Sequence, residues 1–469
     1  MLLVLTFLGL LTRFIFINQP NQTVFDEVHF GKFVSSYFTG KYYFDIHPPL
    51  GKLIIALGAW LGGYQNYIAE HGVFSFENIG QDYGALPFVW FRFFPALAGA
   101  LIPIAIFLFL KELKINSLVA FFASLFMVFD NALLVQSRLI LLDSFLILFG
   151  FLGLYFFFKA RNKDYSSLPL AFAGLFFSLS ALVKWTGLAF LGVAGVVYLF
   201  DLFKLSLKTG IVSRSRKGFL FLILIPLLVY FAVFQLHLAL LPRCPEPAEG
   251  NGCDFMSQEF RNNQLNSLEK FSELNQKMWQ YNTGLSASHD FGSKAIGWPL
   301  MARAVYYWVS SNSDEGVSRI YFFGNPLVWL LGLIGIVNLI FYRPEDQKDK
   351  EIKNILLLLY LANFLPFILV KRVLFLYHYL SAMIISLASF WFVVGEQFLN
   401  FKKGRFWLAV VLLLVAGSWL FYAPLSYGFP LAEKQFQSRQ WFGLWFSTNS
   451  GLKNICQESN CSILNWLTY

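Results

Sequence analysis

Eleven apolar stretches govern what this 469-residue chain can fold into. They lie near residues 2–18, 87–110, 117–132, 142–158, 168–183, 187–203, 219–240, 325–342, 354–370, 377–397 and 406–423. Each approaches the roughly 17–25 residues an α-helix needs to cross the hydrocarbon of a bilayer. In lipid a single segment satisfies its own backbone only as a helix, so the expected architecture is an all-α polytopic membrane protein with about eleven transmembrane helices. Composition agrees, with 57% hydrophobic and 13% charged residues, outside the range of soluble domains.

The net charge of +9 would suit a polyanionic partner if it were spread over one surface. Instead the cations cluster in alternate connections: Lys111/Lys114, Lys159/Arg161/Lys163, Lys204/Lys208/Arg214/Arg216/Lys217, Arg343/Lys348/Lys350/Lys353 and Lys402/Lys403/Arg405. Lys and Arg favour cytoplasmic loops, so the charge reports topology, with the N-terminus inside and the C-terminus outside, and not nucleic acid. Residues 2–18 lack a basic leading segment and a small-residue cleavage site, so the expectation is a span and not a removable signal. All four cysteines fall outside by the same rule. The short loops favour Cys244–Cys253 and Cys456–Cys461, with cross-pairing left open. No histidine accompanies them at zinc-site spacing, so no metal is expected there.

Four parts follow: a membrane module at 1–240 containing a first external loop at 19–86, an external loop at 241–324, a second membrane module at 325–423 and an external tail at 424–469. Within the first loop, Phe30, Phe33, Val34, Tyr37 and Phe38 make one apolar stripe at helical spacing, and Gly40 is a natural stop. That pattern predicts a helix lying in the membrane interface, followed by a second short one from Pro48–Pro49 to Gly62–Gly63. Leu268, Phe271, Leu274, Met278 and Trp279 predict a further surface helix. Trp298 and the run Tyr306-Tyr307-Trp308 read as an aromatic belt.

The chemistry is expected at Asp26–Glu27, which emerge just beyond the first span. A carboxylate pair at the outer surface beside interfacial helices suits transfer of a sugar carried on a polyprenyl phosphate, whose reactive carbon sits at headgroup depth. The lipid phosphate leaves readily, whereas a Ser or Thr hydroxyl needs a base. The departing phosphate needs cations, for which Arg138, Lys184, Arg303, Lys371 and Arg372 are candidates, with His378 as a further ligand. Asp26–Glu27 could instead simply open a helix, and Arg138 with Asp143 could be a structural ion pair.

Three blocks carry a family resemblance: Asp26-Glu27-Val28-His29-Phe30-Gly31-Lys32, His47-Pro48-Pro49-Leu50-Gly51-Lys52 and Arg138-Leu139-Ile140-Leu141-Leu142-Asp143. With Gly324-Asn325-Pro326 and Trp329, Phe375-Leu376-Tyr377-His378-Tyr379-Leu380-Ser381-Ala382, and Phe421-Tyr422-Ala423-Pro424-Leu425, the chain resembles the protein O-mannosyltransferase family from end to end. The resemblance implies a GT-C glycosyltransferase fold, with Asp26 as the activating carboxylate, Glu27 as its partner and Arg138 in the same cavity, while His47 and Asp143 help organise it. It implies mannose transfer from polyprenyl-phosphate mannose to Ser/Thr of exported polypeptides by inverting displacement. The setting would be the outer face of a plasma membrane, with the export machinery as a candidate partner.

Eukaryotic members carry a trefoil domain that 241–324 is too short to hold, so the short prokaryotic form is expected. No cofactor is expected, and a divalent cation is left open. Two other readings are a related GT-C enzyme that glycosylates a lipid, and a transporter, which would place charges deep in broken helices.

Overall fold

The computed structural model describes residues 1–205, 211–244, 252–284, 289–313, 316–370 and 372–446. Lys371, Cys456 and Cys461 lie outside the described residues. Every apolar run expected from the sequence forms helix. Among the described residues, seven helices are long and apolar enough to cross a membrane: Phe88–Glu112, Asp143–Arg161, Trp185–Lys204, Val212–Leu240, Gln347–Leu369, Leu376–Asn400 and Gly404–Tyr427. An eighth candidate is the pair Ser117–Val128 and Asn131–Ser137, bent by 63° at its break. Leu2–Phe14, Ser167–Val183 and Pro326–Phe341 are apolar but shorter.

The chain divides into two compact units, each discontinuous in sequence. The first gathers the described parts of Met1–Pro20, Gly99–Ser137 and Ala287–Tyr469. Its organising feature is the broken helix. Asp130, fully buried at the break, caps the second half by accepting from Leu133 N (2.8 Å). It also accepts from the indole of Trp329 (2.9 Å) and from Asn325 N (3.0 Å). The Asn325 amide donates onward to the carbonyls of Phe129 and Val415, both at 2.9 Å, and its oxygen caps the Pro326–Phe341 helix at Leu327 N. Arg13 donates to Val128 O at 3.0 Å, a carbonyl left over where the helix stops. Asp130 and Asn325 are well partnered at the break, which limits the cost of the bend, while Asn131 Oδ1 and Arg13 Nε are buried there without a hydrogen bond among the described residues. The Gly324-Asn325-Pro326 block thus has a structural reason: it ties three helical segments to one carboxylate.

The first unit also holds a three-stranded antiparallel sheet that departs from the all-helical expectation. Val305–Ser313 pairs with Gly316–Phe322, and the latter with Pro430–Leu431. The register pairs Tyr306 with Tyr321 and then Trp308 with Ile320, leaving Tyr307 as a bulge residue. The bulge re-aims its side chain. Tyr307 is fully buried and its hydroxyl donates to Gln136 at 2.7 Å. Trp298 is buried and stacks on His378 with centroids 6.0 Å apart. Trp298, Tyr307 and Trp308 are therefore core residues and not an aromatic belt, because strand pairing and ring packing enclose them.

The second unit joins Asn21–Ala98 to Arg138–Ser286. Its helices Glu27–Thr39 and Leu50–Leu61 occupy the two stretches expected in the first loop. Gly40 ends the first in a left-handed conformation (φ 69°), which glycine adopts without steric cost. The Ser267–Gly284 helix buries Leu274 and Met278 in a cluster with Tyr42, Tyr43, Phe44, Leu182 and Phe234. A disulfide joins Cys244 to Cys253 across nine positions of sequence. Closing a loop of that length stabilises the fold by about 2–3 kcal/mol on the chain-entropy model. Cys253→Ser should accordingly lower the Tm of detergent-solubilised protein, and a reductant should lower the Tm of the parent protein more than that of the variant.

Candidate active site

Asp26 and Glu27 are neighbours in sequence with opposite surroundings. The loop before them is pinned to residues 80–83: Thr23 N donates to Gln81 O, and Gly80 N donates to Thr23 O, both at 2.9 Å. This brings Tyr83 and Arg92 to the start of the Glu27–Thr39 helix. Glu27 is fully buried, and its side chain turns back to receive five hydrogen bonds. Arg92 supplies two, from Nε and Nη2, each at 2.8 Å. The Tyr83 hydroxyl (2.9 Å), Val24 N (2.8 Å) and Ile140 N (2.9 Å) supply the rest. A carboxylate offers about four lone-pair directions, so both oxygens are saturated.

Arg92 is equally enclosed. It donates to Gln22 O at 3.2 Å and lies over the rings of Phe88 (4.9 Å) and Tyr83 (5.5 Å). Ile140 belongs to the Arg138–Asp143 block, so Glu27 ties the first and third recurrent blocks together through one backbone N–H.

Asp26 is half-buried, and its side chain makes no hydrogen bond to the helix it precedes. Among the described residues its carboxyl has no hydrogen-bond or ion-pair partner. Burial pushes it up to about 7, opposed by Lys184 and reinforced by Asp143 and Asp45. Burial disfavours the charged form of a carboxyl, and nothing here donates a compensating hydrogen bond. A carboxyl poised near neutrality is suited to general-base work.

Two ion pairs border Asp26. Asp143 opens the Asp143–Arg161 helix, and each of its carboxylate oxygens accepts from Lys184 Nζ, at 2.8 and 2.9 Å. Asp143, expected as a structural ion-pair partner of Arg138, thus takes Lys184 as an ion-pair partner. Arg138 itself is fully buried. Asp45 pairs with Lys52, whose ammonium also donates to the His47 carbonyl at 2.8 Å and lies 5.7 Å from the ring centroids of Phe33 and Tyr43. Within the second block, then, His47 contributes a backbone acceptor and Lys52 a charge.

The remaining candidates lie in the first unit. Arg303 is buried, adopts a left-handed backbone (φ 69°) and donates to Gly292 O at 2.7 Å. Arg372 is half-buried. His378 sits in the short 3-10 turn Leu376–Tyr379 that leads into the tenth apolar helix, and its Nδ1 lies 2.9 Å from the Phe375 carbonyl. Among the described residues no group of three or more His, Cys, Asp or Glu side chains could hold a metal ion.

Arg92, Tyr83 and Asp45 were not singled out from the sequence. Arg92 carried a usable signal, since a lone arginine inside an apolar run must find a buried partner. Asp45 and Tyr83 carried none, because their partners come from distant positions.

The chain is similar to known proteins. Residues 3–242 match the family model described as dolichyl-phosphate-mannose-protein mannosyltransferase, and residues 267–445 match the C-terminal four-span region of protein-O-mannosyltransferase. Dolichyl-phosphate-mannose–protein mannosyltransferase 4 of Candida albicans is 36% identical over 280 residues, covering 57% of this chain and 36% of the relative. The protein of the same name from Schizosaccharomyces pombe is 40% identical over 227 residues, covering 46% of this chain and 28% of the relative. The matched segments thus span about a third of the length of these curated relatives.

Among solved structures, the Saccharomyces cerevisiae Pmt1-Pmt2 complex bound to its sugar donor superposes with a TM-score of 0.83 at 21% identity, over 96% of this chain and 94% of that one. ArnT from Cupriavidus metallidurans gives 0.51 at 15% identity, over 87% and 62%. These likenesses establish a GT-C fold. On the match of its first 240 residues and the independent match of its C-terminal half, the chain belongs to the dolichyl-phosphate-mannose-protein mannosyltransferase family.

Proposed function

We propose that this protein transfers mannose from a polyprenyl-phosphate carrier to Ser or Thr hydroxyls of polypeptides, with Asp26 as the base. The single observation that carries the reading is the contrast between the two acidic neighbours. One is locked into the fold by five hydrogen bonds, and the other is left without a partner and held near neutrality. As the hydroxyl oxygen attacks the anomeric carbon, Asp26 accepts its proton. The bond to the lipid phosphate breaks on the opposite face, so configuration inverts. The phosphate leaves with its electron pair, and the buried Arg138 is the favoured cation for it. Lys184 tunes Asp26 through the charge it shares with Asp143. Glu27 and Arg92 act as positioning residues.

The same reading puts eleven spans in a plasma membrane, with the N-terminus cytoplasmic and the site and C-terminus outside. The acceptors are then exported polypeptides, and the helices Glu27–Thr39 and Leu50–Leu61 lie at the outer interface. Purified protein in lipid vesicles, given labelled polyprenyl-phosphate mannose and a Ser/Thr-rich peptide, should label the peptide. Label found only in lipid would favour the related lipid-glycosylating enzymes, and no transfer at all would reject both.

Deprotonated Asp26 is the active form, so transfer should rise as pH passes upward through about 7. Lys184→Met removes a cation that lowers this value and leaves Asp143, which raises it, uncompensated. Its pH–rate curve should move to higher pH. The linkage has the opposite sign for stability: a carboxyl raised from 3.8 in the fold favours folding when protonated, and that contribution fades as pH climbs from about 4 to about 7.

A further inference from the structure

A cleft of about 560 Å³ opens beside the polar side of the Glu27–Thr39 helix. His29, Lys32 and Ser36 form one wall, and Phe74, Glu77 and Phe255 stand across from them. Both outer walls are braced. The wall around Phe74 is held by Phe76, whose ring packs so closely on Gly31 that an added Cβ would come within 2.2 Å of it. The wall around Phe255 follows directly on the Cys244–Cys253 disulfide. His29 and Phe33, the next residues on Asp26's side of the helix, both line the cleft. Tyr43 and Phe44, just before Asp45, line it too, so the cleft begins one helical turn beyond Asp26. Lys32 is exposed, and its ammonium makes no hydrogen bond or ion pair among the described residues.

Resting on the transfer reading above, we propose that this cleft receives the acceptor polypeptide in extended form and that Lys32 selects an acidic side chain at a fixed offset from the reacting hydroxyl. The offset follows from geometry. Lys32 stands six residues beyond Asp26, about 9 Å along a helix rising 1.5 Å per residue. An extended peptide covers about 10 Å in three residues, at about 3.3 Å each. The favoured acidic residue therefore lies about three positions from the modified Ser or Thr. Ser36 and Ser75, also in the lining, offer hydroxyls to the peptide backbone between.

The test uses single-serine peptides bearing Asp, Lys or Ala three positions before or after the serine, with the full-length protein in detergent. Two readouts are taken: kcat/KM for mannose transfer and peptide binding by fluorescence anisotropy. The parent protein should prefer Asp over Lys by about fivefold on one side of the serine, the size of one exposed ion pair, and Lys32→Glu should invert that ratio. A ratio unchanged by Lys32→Glu in both readouts overturns the proposal. Charge-dependent binding without transfer would support the cleft and sink the transfer reading. Transfer without any offset preference would leave the transfer reading standing and sink this one.

Discussion

Asp26→Asn is expected to lower mannose transfer by about 10²- to 10⁴-fold, the range a positioned general base contributes, while leaving the fold intact. The side chain has no hydrogen-bond partner to lose, and it does not cap its helix. Its carboxyl is already pushed up to about 7 by burial, so a neutral amide of the same shape replaces a group whose charge the fold disfavours. Two measurements check this together. Initial rates with labelled donor and peptide should collapse, and the Tm in detergent should stay level or rise slightly at pH 8. The residual rate should also lose its dependence on pH near 7. A variant that transfers at the parent rate would remove Asp26 from the mechanism.

One residue along, the expected outcome reverses. Glu27→Ala should cost about 3–5 kcal/mol of stability, the penalty for stranding the other half of a buried ion pair. The change leaves Arg92 uncompensated in a site with no exposure and orphans the Tyr83 hydroxyl and two backbone N–H groups. Folded yield and Tm should both fall sharply. Glu27→Leu combined with Arg92→Leu should recover part of the loss, since removing both charges avoids the uncompensated one. If Glu27→Ala instead folded normally with a Tm near that of the parent, the positioning role assigned to it would be wrong. Adjacent acids with opposite phenotypes, one in rate and the other in stability, are a sharper signature than loss of activity at either alone.

Much of this was legible in the residues. Apolar runs of bilayer length placed the helices, and the stripe from Phe30 to Phe38 with Gly40 behind it marked the helix that carries Asp26. Periodicity does this well because each residue's lipid- or core-facing position depends on its own side chain and near neighbours. The strand pair Val305–Ser313 and Gly316–Phe322 escaped because it is enclosed by rings from other parts of the first unit, Phe291, Tyr377 and Phe436, and a dense aromatic run reads equally as belt or core. Trp298 and His378 were ambiguous for the same reason. The Asp130–Asn325–Trp329 network was half visible, in that the Asn325 block stood out while the buried aspartate it serves did not.

The sequence by itself determined that this is a many-helix membrane protein, and it singled out the acidic pair after the first apolar run as the expected seat of its chemistry. Both properties reside in contiguous residues. Only the tertiary structure could separate the two acids, because the difference between them lies in partners drawn from positions 24, 83, 92 and 140 on one side and 45, 143 and 184 on the other. A carboxylate becomes a scaffold or a base according to how many donors reach it, and that number is a property of the folded chain.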